Sequence, residues 1–539
     1  MHDQDETLFR NGRFLDPAEG SEPLGNALLA RGGRIVHVGR EVDCRAQAAP
    51  SAPRVDLDGR TVLPGFVDSH VHLRSLGESL RQCDLSGARS RREAVECLAA
   101  FAEAHGDAAW VRARGYRLND WPDPSYPTAR DLDEAVADRP CIAVAFDGHS
   151  VWLNSKACAA AGLTRGAGDP DGGVIVRDGT GRPTGYLLEA AAGIGHRAVP
   201  PDSEEQRVRL LRAAIDEMVR RGHTAAHAPL ARGDWSPTET VQRVRAMFPG
   251  NRCPLRIRFF VPFDRLDEVA SAVAGRDERQ RVRLAGIKCF IDGSLGSRTA
   301  WMFEPFLDDG DNRGMCLQAP AELRRRVEGA NAAGVPLICH AIGDRACAEA
   351  LRAFLDGGDP QAGNRIEHAQ HLRERDVGLF ARAGVAASIQ PAHLWADRGA
   401  TDRLLGPRRA AWTYPFRSLL DAGATLAMGS DAPVVPPSLQ ASLHAAVTRT
   451  DPHGVPAGGW HGEQRITPRD WAVAATHAAW RSIGEGDRLG RLAPGMACDL
   501  CVVSRDVLAE SCTDFLDWHV EATVVGGEVV YRRQGAHGT

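Results

Sequence analysis

Two histidines one residue apart, His70 and His72, close the apolar run Leu63-Pro-Gly-Phe-Val-Asp-Ser-His-Val-His72. On an extended strand residues i and i+2 share a face, so both imidazoles can reach one point, as two ligands of one metal ion must. A His-x-His pair alone is common and more often marks surface or core histidines. Further polar residues at the ends of other apolar runs change the weighting. His340 follows Val335-Pro-Leu-Ile-Cys, His368 follows Arg365-Ile-Glu, and Asp431 follows Leu426-Ala-Met-Gly-Ser. Lys288 lies within Ala285-Gly-Ile-Lys-Cys-Phe-Ile-Asp292 and is one of only two lysines, with Lys156; the other 63 of the 65 basic residues are Arg. A site that needs a nucleophilic amine cannot use Arg, which is effectively never deprotonated. Imidazole and carboxylate suit zinc and neighbouring divalent metals, with a position open for water in a catalytic site.

Such a set needs a scaffold that brings strand ends together. Between about residues 61 and 485, short apolar stretches alternate with Arg- and Ala-rich helical segments, the pattern of βα units around a parallel sheet. Nine stretches read as strands: 61–71, 110–115, 141–146, 256–260, 284–291, 335–339, 365–367, 385–389 and 425–428. That is one more than a (β/α)8 barrel holds, so at least one belongs elsewhere. In such a barrel the active site forms at the C-terminal ends of the strands, where the candidate residues fall. A stretch near 165–190 has hairpin character and reads as an excursion. Residues 1–60 and 486–539 contain short strands with Gly-rich turns and are expected to pair into one small β-sandwich built from both chain ends. The expected fold is α/β: a distorted TIM barrel with that module attached.

Composition narrows the function. The 539 residues are 43% hydrophobic and 25% charged, ordinary for a globular protein. A net charge of −5 argues against a dedicated nucleic-acid binder. No run approaches the roughly 20 apolar residues of a membrane span, and the acidic start lacks the order of a signal peptide. Thirteen cysteines, an odd number and scattered, suit reduced thiols better than a disulfide framework. These features together point to the cytoplasm.

The ordered motifs resemble the metal-dependent amidohydrolase superfamily, in particular the amidohydrolase-3 branch with its YtcJ-like proteins and N-substituted formamide deformylases. Beside the opening run, the matching stretches are Gly148-His-Ser-Val-Trp-Leu-Asn-Ser-Lys-Ala157, Lys288-Cys-Phe-Ile-Asp-Gly-Ser-Leu-Gly-Ser-Arg-Thr-Ala300 and His340-Ala-Ile-Gly-Asp-Arg-Ala346. They continue with Arg365-Ile-Glu-His-Ala369, Gly429-Ser-Asp-Ala-Pro433 and Leu489-Gly-Arg-Leu-Ala-Pro-Gly-Met-Ala-Cys-Asp499. The resemblance implies a two-metal site: His70, His72 and Asp431 on one ion, His340 and His368 on the other, and Lys288 bridging them as a carbamate. Related enzymes with one metal also exist. Zinc is the expected ion, with iron and manganese left open by the ligand types.

The chemistry implied is hydrolysis of an amide-like C–N bond in an N-acyl or N-formyl amine, by hydroxide generated on the metal. Asp431 would serve as general base and then acid. Deaminase, lactonase or carbamate-hydrolase activity would use the same site, and a non-catalytic scaffold barrel is the reading from another class. Secondary candidates are His149 and Asn154 for substrate orientation or for turns and caps, Arg298 for a substrate carboxylate or a structural ion pair, and His393 as a donor to the oxyanion or a satisfied loop histidine. Tyr116 and Trp121 read better as core than as pocket lining. Glu367 reads as support for a ligand or as a buried partner of Arg365, and His223 and His227 are left outside the metal set. The expected partner is a small molecule, with neither nucleic acid nor membrane, and a homodimer by analogy.

Overall fold

The computed structural model describes residues 6–534 other than 147–148, 231–234, 276 and 278, together with all their side chains except that of Asn119. Gly148, which opens one matched stretch, and the outermost residues of both ends therefore lie outside the described residues. The chain divides into two compact units, Met1–Leu73 with Ala214–Thr539, and Arg74–Ala213.

In the first unit eight strands form the barrel: β1 (Phe66–Asp68), β2 (His223–Pro229), β3 (Arg256–Pro262), β4 (Val282–Phe290), β5 (Leu337–Ala341), β6 (Arg365–His368), β7 (Ala386–Ile389) and β8 (Leu426–Met428). Each pairs in parallel with its neighbour from β1 through β8. The circle is completed beyond the strand ends. Ser69 N donates to Met428 O (2.7 Å), Asp431 N to His70 O (2.6 Å) and His72 N to Ala432 O (3.0 Å). The barrel thus closes through the segments that carry His70, His72 and Asp431.

Seven of the nine expected strands enter the barrel, and two do not. Val111–Tyr116 and Cys141–Ala145 belong to the second unit, in a six-stranded sheet with Cys83–Asp84, Ser150–Leu153, Gly173–Arg177 and Pro183–Glu189. Ser150–Leu153 pairs antiparallel with Cys141–Ala145 and occupies the edge that a barrel neighbour would need. The expected excursion near 165–190 is therefore one part of a larger unit, with its own core of Leu85, Leu98, Tyr116, Leu132 and Trp152. The strand missing from the sequence reading is β2, His-Thr-Ala-Ala-His-Ala-Pro. All seven residues are buried, so no polar-apolar alternation marks it, as is usual for parallel strands covered on both faces.

The two chain ends share one mixed sheet, joined where Thr61–Pro64 pairs antiparallel with Leu500–Val503. The sheet encloses Phe9, Phe14, Leu28, Val62, Leu500 and Val524. The run then passes directly into β1 at Gly65. A Cβ there would lie 2.1 Å from Thr224 Oγ1, so only glycine fits. All thirteen cysteines are free. Cys498 and Cys501 have Cys-x-x-Cys spacing, but Cys498 packs into the enclosed core while Cys501 lies beside Gly222. Among the described residues no helix is long and apolar enough to cross a membrane.

Candidate functional site

The strand ends bring the four candidate histidines into one continuous group. Ring centroids are 5.3 Å apart for His70 and His72, 5.4 Å for His70 and His368, and 4.5 Å for His340 and His368. Asp431 Oδ1 lies 3.1 Å from His72 Nε2 and 3.5 Å from His70 Nε2. One ligand atom from each of these three residues falls within 4.8 Å of the others. His368 and Asp431 both hold left-handed backbone, with φ of 73° and 55°. Such conformations are uncommon outside glycine and persist where surrounding structure over-determines them.

That structure can be named. The Asp68 carboxylate accepts from His70 N (3.1 Å), Ser430 N (3.0 Å) and Ser430 Oγ (2.6 Å), and so ties β1 to β8. Asp292 accepts from Trp301 N, Ile342 N and Gly343 N, and ties the loop after β4 to that after β5. Burial pushes both carboxyls up to about 7.

Each inner imidazole has one nitrogen set against a fixed acceptor. His340 Nε2 faces Gly293 O at 3.0 Å, and His368 Nδ1 faces Gln390 Oε1 at 2.9 Å. His70 Nδ1 lies 2.8 Å from Glu367 Oε2, off the ideal hydrogen-bond axis. An acceptor at such range fixes the proton on the facing nitrogen and leaves the other nitrogen a lone pair.

Electrostatics agree. Burial, then the charge of Lys288, brings His70 down to about 4 and His340 to about 3. Burial and His340 hold His368 well below its ordinary value. Burial opposes ionisation of Asp431, but the hydrogen bond with His72 and the field of His70 outweigh it and keep the carboxyl well below the usual range. Lys288 is 5% exposed, and its Nζ has no hydrogen-bond partner among the described residues. Burial lowers its pKa against the pull of Glu367 and Asp431. Lys156, by contrast, is an exposed residue whose Nζ donates to Asp138 O.

The secondary candidates separate. His393 is buried, with Nε2 3.1 Å from Ser430 O, and its field reaches Asp431. Arg298 does not offer a free guanidinium: Nε and a terminal nitrogen contact Asp308 at 3.1 and 2.6 Å. Asn154 is fully buried in the second unit. Its Oδ1 accepts from Cys141 N and Ala157 N, and its Nδ2 donates to Val136 O and Arg139 O. With its four hydrogen bonds made, it has none for a substrate. His149, also in that unit, is exposed and paired with Glu189 at 2.9 Å. Tyr116 and Trp121 lie in that unit's core. His227 is buried against Arg365. Glu367 combines both expected roles, touching His70 and Arg365. Gln390, Asp68 and Asp292 were missed, although each follows or ends a short apolar run just as the histidines do.

A model described as the Amidohydrolase family matches residues 54–531. The chain belongs to that family. It is 31% identical to protein LONG AFTER FAR-RED 3 of Arabidopsis thaliana, over 98% of this chain and 91% of that protein. Putative amidohydrolase YtcJ of Bacillus subtilis (strain 168) is 30% identical over 90% of this chain and 92% of its own length. N-substituted formamide deformylase of Arthrobacter pascens is 27% identical, over 95% of each chain. Among solved structures, an uncharacterized metal-dependent hydrolase from Pyrococcus horikoshii OT3 superimposes with a TM-score of 0.75 at 25% identity, covering 95% of this chain and 100% of that one. This family member is a hydrolase, and the family implies a divalent metal. The residues present fit one: neutral imidazoles with anchored second nitrogens, an anionic carboxylate, and a buried amine without a hydrogen-bond partner among the described residues.

Proposed function

We propose that this amidohydrolase cleaves the C–N bond of a small N-acyl or N-formyl amine. The observation that carries the reading is the convergence of four imidazoles and an ionised Asp431 at one end of the barrel, with Lys288 buried and without a hydrogen-bond partner in the same barrel. His70, His72 and Asp431 would hold one zinc ion, and His340 and His368 a second. Lys288, carbamylated by carbon dioxide, would bridge them, because a carbamate offers the anionic oxygens that an ammonium lacks. When bound, such ions supply hydroxide near neutral pH and polarise a carbonyl oxygen.

The chain's own residues move the protons. Asp431, ionised at pH 7, accepts the proton of the attacking water at its carboxylate and returns it to the leaving nitrogen as the C–N bond breaks. His72 Nε2 lies 3.1 Å from that carboxylate, and the two would share one ion. His393 has Nε2 directed at Ser430 O, so a role for it at the oxyanion needs its doubly protonated form. The Arthrobacter pascens relative is an N-substituted formamide deformylase, which supports a formamide as the first substrate to try.

Elemental analysis of protein purified without chelator, with bicarbonate present, tests the centre: about two ions per chain are expected. Release of formate or another acid from a panel of N-formyl and N-acyl amines tests the reaction. A folded, zinc-reconstituted protein that holds no metal would overturn the mechanism.

A further inference from the structure

The barrel interior beneath the candidate ligands holds a fully buried guanidinium, that of Arg365, which is 0% exposed. Its Nε donates to Glu367 Oε1 at 2.6 Å. One terminal nitrogen donates to the carbonyl of Ser69, the residue before His70, at 2.7 Å. The other reaches His227 Nδ1 at 2.9 Å and Ser482 Oγ at 3.4 Å. The remaining carboxylate oxygen of Glu367 is the one that faces His70 Nδ1. A single guanidinium therefore touches His70 by two routes: its backbone through Ser69 O, and its ring through Glu367.

A charge in a barrel interior is costly, and well-packed apolar residues often replace buried ion pairs without loss of stability. What an apolar residue cannot do is hold two acceptors on two strands at fixed separation, and the planar fork of Arg does so where the point charge of Lys does not. Glu367 Oε2, 2.8 Å from His70 Nδ1, is placed to hold the proton on that nitrogen and so leave Nε2 the lone pair for the centre.

We propose that Arg365 is the positioning residue of this metal centre, clamping Ser69 and Glu367 so that His70 presents Nε2 in one tautomer and one direction. The inference rests on the metal-centre reading above and adds to it a residue that contacts neither metal nor substrate.

The test uses the full-length chain and its Glu367→Gln, Arg365→Lys and Arg365→Met variants. Zinc affinity is measured by competition with a chromophoric chelator, and folding of the metal-free protein by circular dichroism and melting. In addition, 15N chemical shifts of His70, assigned with His70→Asn, report its tautomer without metal. The expected result is a predominantly Nδ1–H tautomer in the wild type that Glu367→Gln loses. Zinc affinity should fall roughly 10–100-fold in Glu367→Gln and Arg365→Met while the metal-free protein stays folded, and Arg365→Lys should not restore it. Should Arg365→Met fail to fold, Glu367→Gln, which keeps the side-chain shape, carries the test. Folded variants with wild-type affinity and tautomer would overturn the clamp and leave the metal centre standing. A wild-type protein that binds no zinc would overturn both.

Discussion

Four imidazoles can serve as ligands together only if none of them is charged, since a protonated ring has no lone pair to give. Burial secures that for His70, His340 and His368, while Asp431 keeps its charge beside them. Asp431→Asn should therefore keep the fold and some metal but lower kcat by roughly two to four orders of magnitude, read by steady-state kinetics at matched zinc content. Lys288 is testable by itself. With 13C-labelled bicarbonate, a carbamate carbon resonance should appear in the wild type and vanish in Lys288→Gln, with a parallel loss of bound metal. At this scale the sequence was most legible in the convergence of His70, His72, His340, His368 and Asp431, which the strand ends bring together. For Asn154 and Arg298 the fold realises the structural alternative, a helix cap and an ion pair, and the sequence could not decide because their partners, the Cys141 and Val136 backbone and Asp308, become neighbours only through folding. The acceptors behind the histidines, Gln390 and Gly293, were invisible for the same reason.

Among the elements, the junction of β8 with β1 bears most on the site. Gly429 lies against it: an added Cβ would stand 2.8 Å from His70 N and 2.9 Å from His70 Cβ. Gly429→Ala should cost about 1–3 kcal/mol of stability and weaken zinc binding as well, because what must give is the backbone of a ligand. Melting with and without metal would show both losses; a loss of stability alone would mean that the strain is relieved elsewhere. Strand identity was readable where Val and Ile mark a short apolar run, as in 335–339 and 385–389. It failed at β2, whose alanines and histidines carry no strand signature, and at 110–115 and 141–146. Those two are true strands, but nothing in their own residues states which sheet will take them.

For the molecule as a whole, a buried ion pair, Arg256 with Asp499 at 2.6 Å, links barrel and end module, and within the barrel part Glu485 takes both Arg258 (2.8 Å) and Arg283 (2.5 Å). Glu485→Gln would leave two buried guanidiniums short of a counter-charge and should cost about 3–5 kcal/mol, measured by urea unfolding. Acid stability follows from buried neutral histidines. His371 is brought down to about 3, mainly by burial, so the unfolded chain takes up a proton near 6.5 that the folded chain refuses. Its contribution is present above about 6.5 and is lost as pH falls toward 3. His371→Gln should thus make stability less steep in pH over that window, by up to ~1.4 kcal/mol per pH unit. An unchanged slope would show that His371 takes up its proton equally in the folded and unfolded chains. The outline of this architecture, barrel plus a module from both ends, was legible because strand and helix patterns alternate over a long span. The second unit was not, since its strands use the same vocabulary as the barrel's.

The junction where Asp68 meets Ser430 joins residues 362 positions apart. A ribosome finishes the first histidines long before it reaches the aspartate that completes their set. Until the eighth strand has emerged and docked, a growing chain can own most of its ligands and still possess no centre. Truncated or half-folded chains would then lack the metal centre proposed for the finished enzyme, so activity would arrive only with the completed circle.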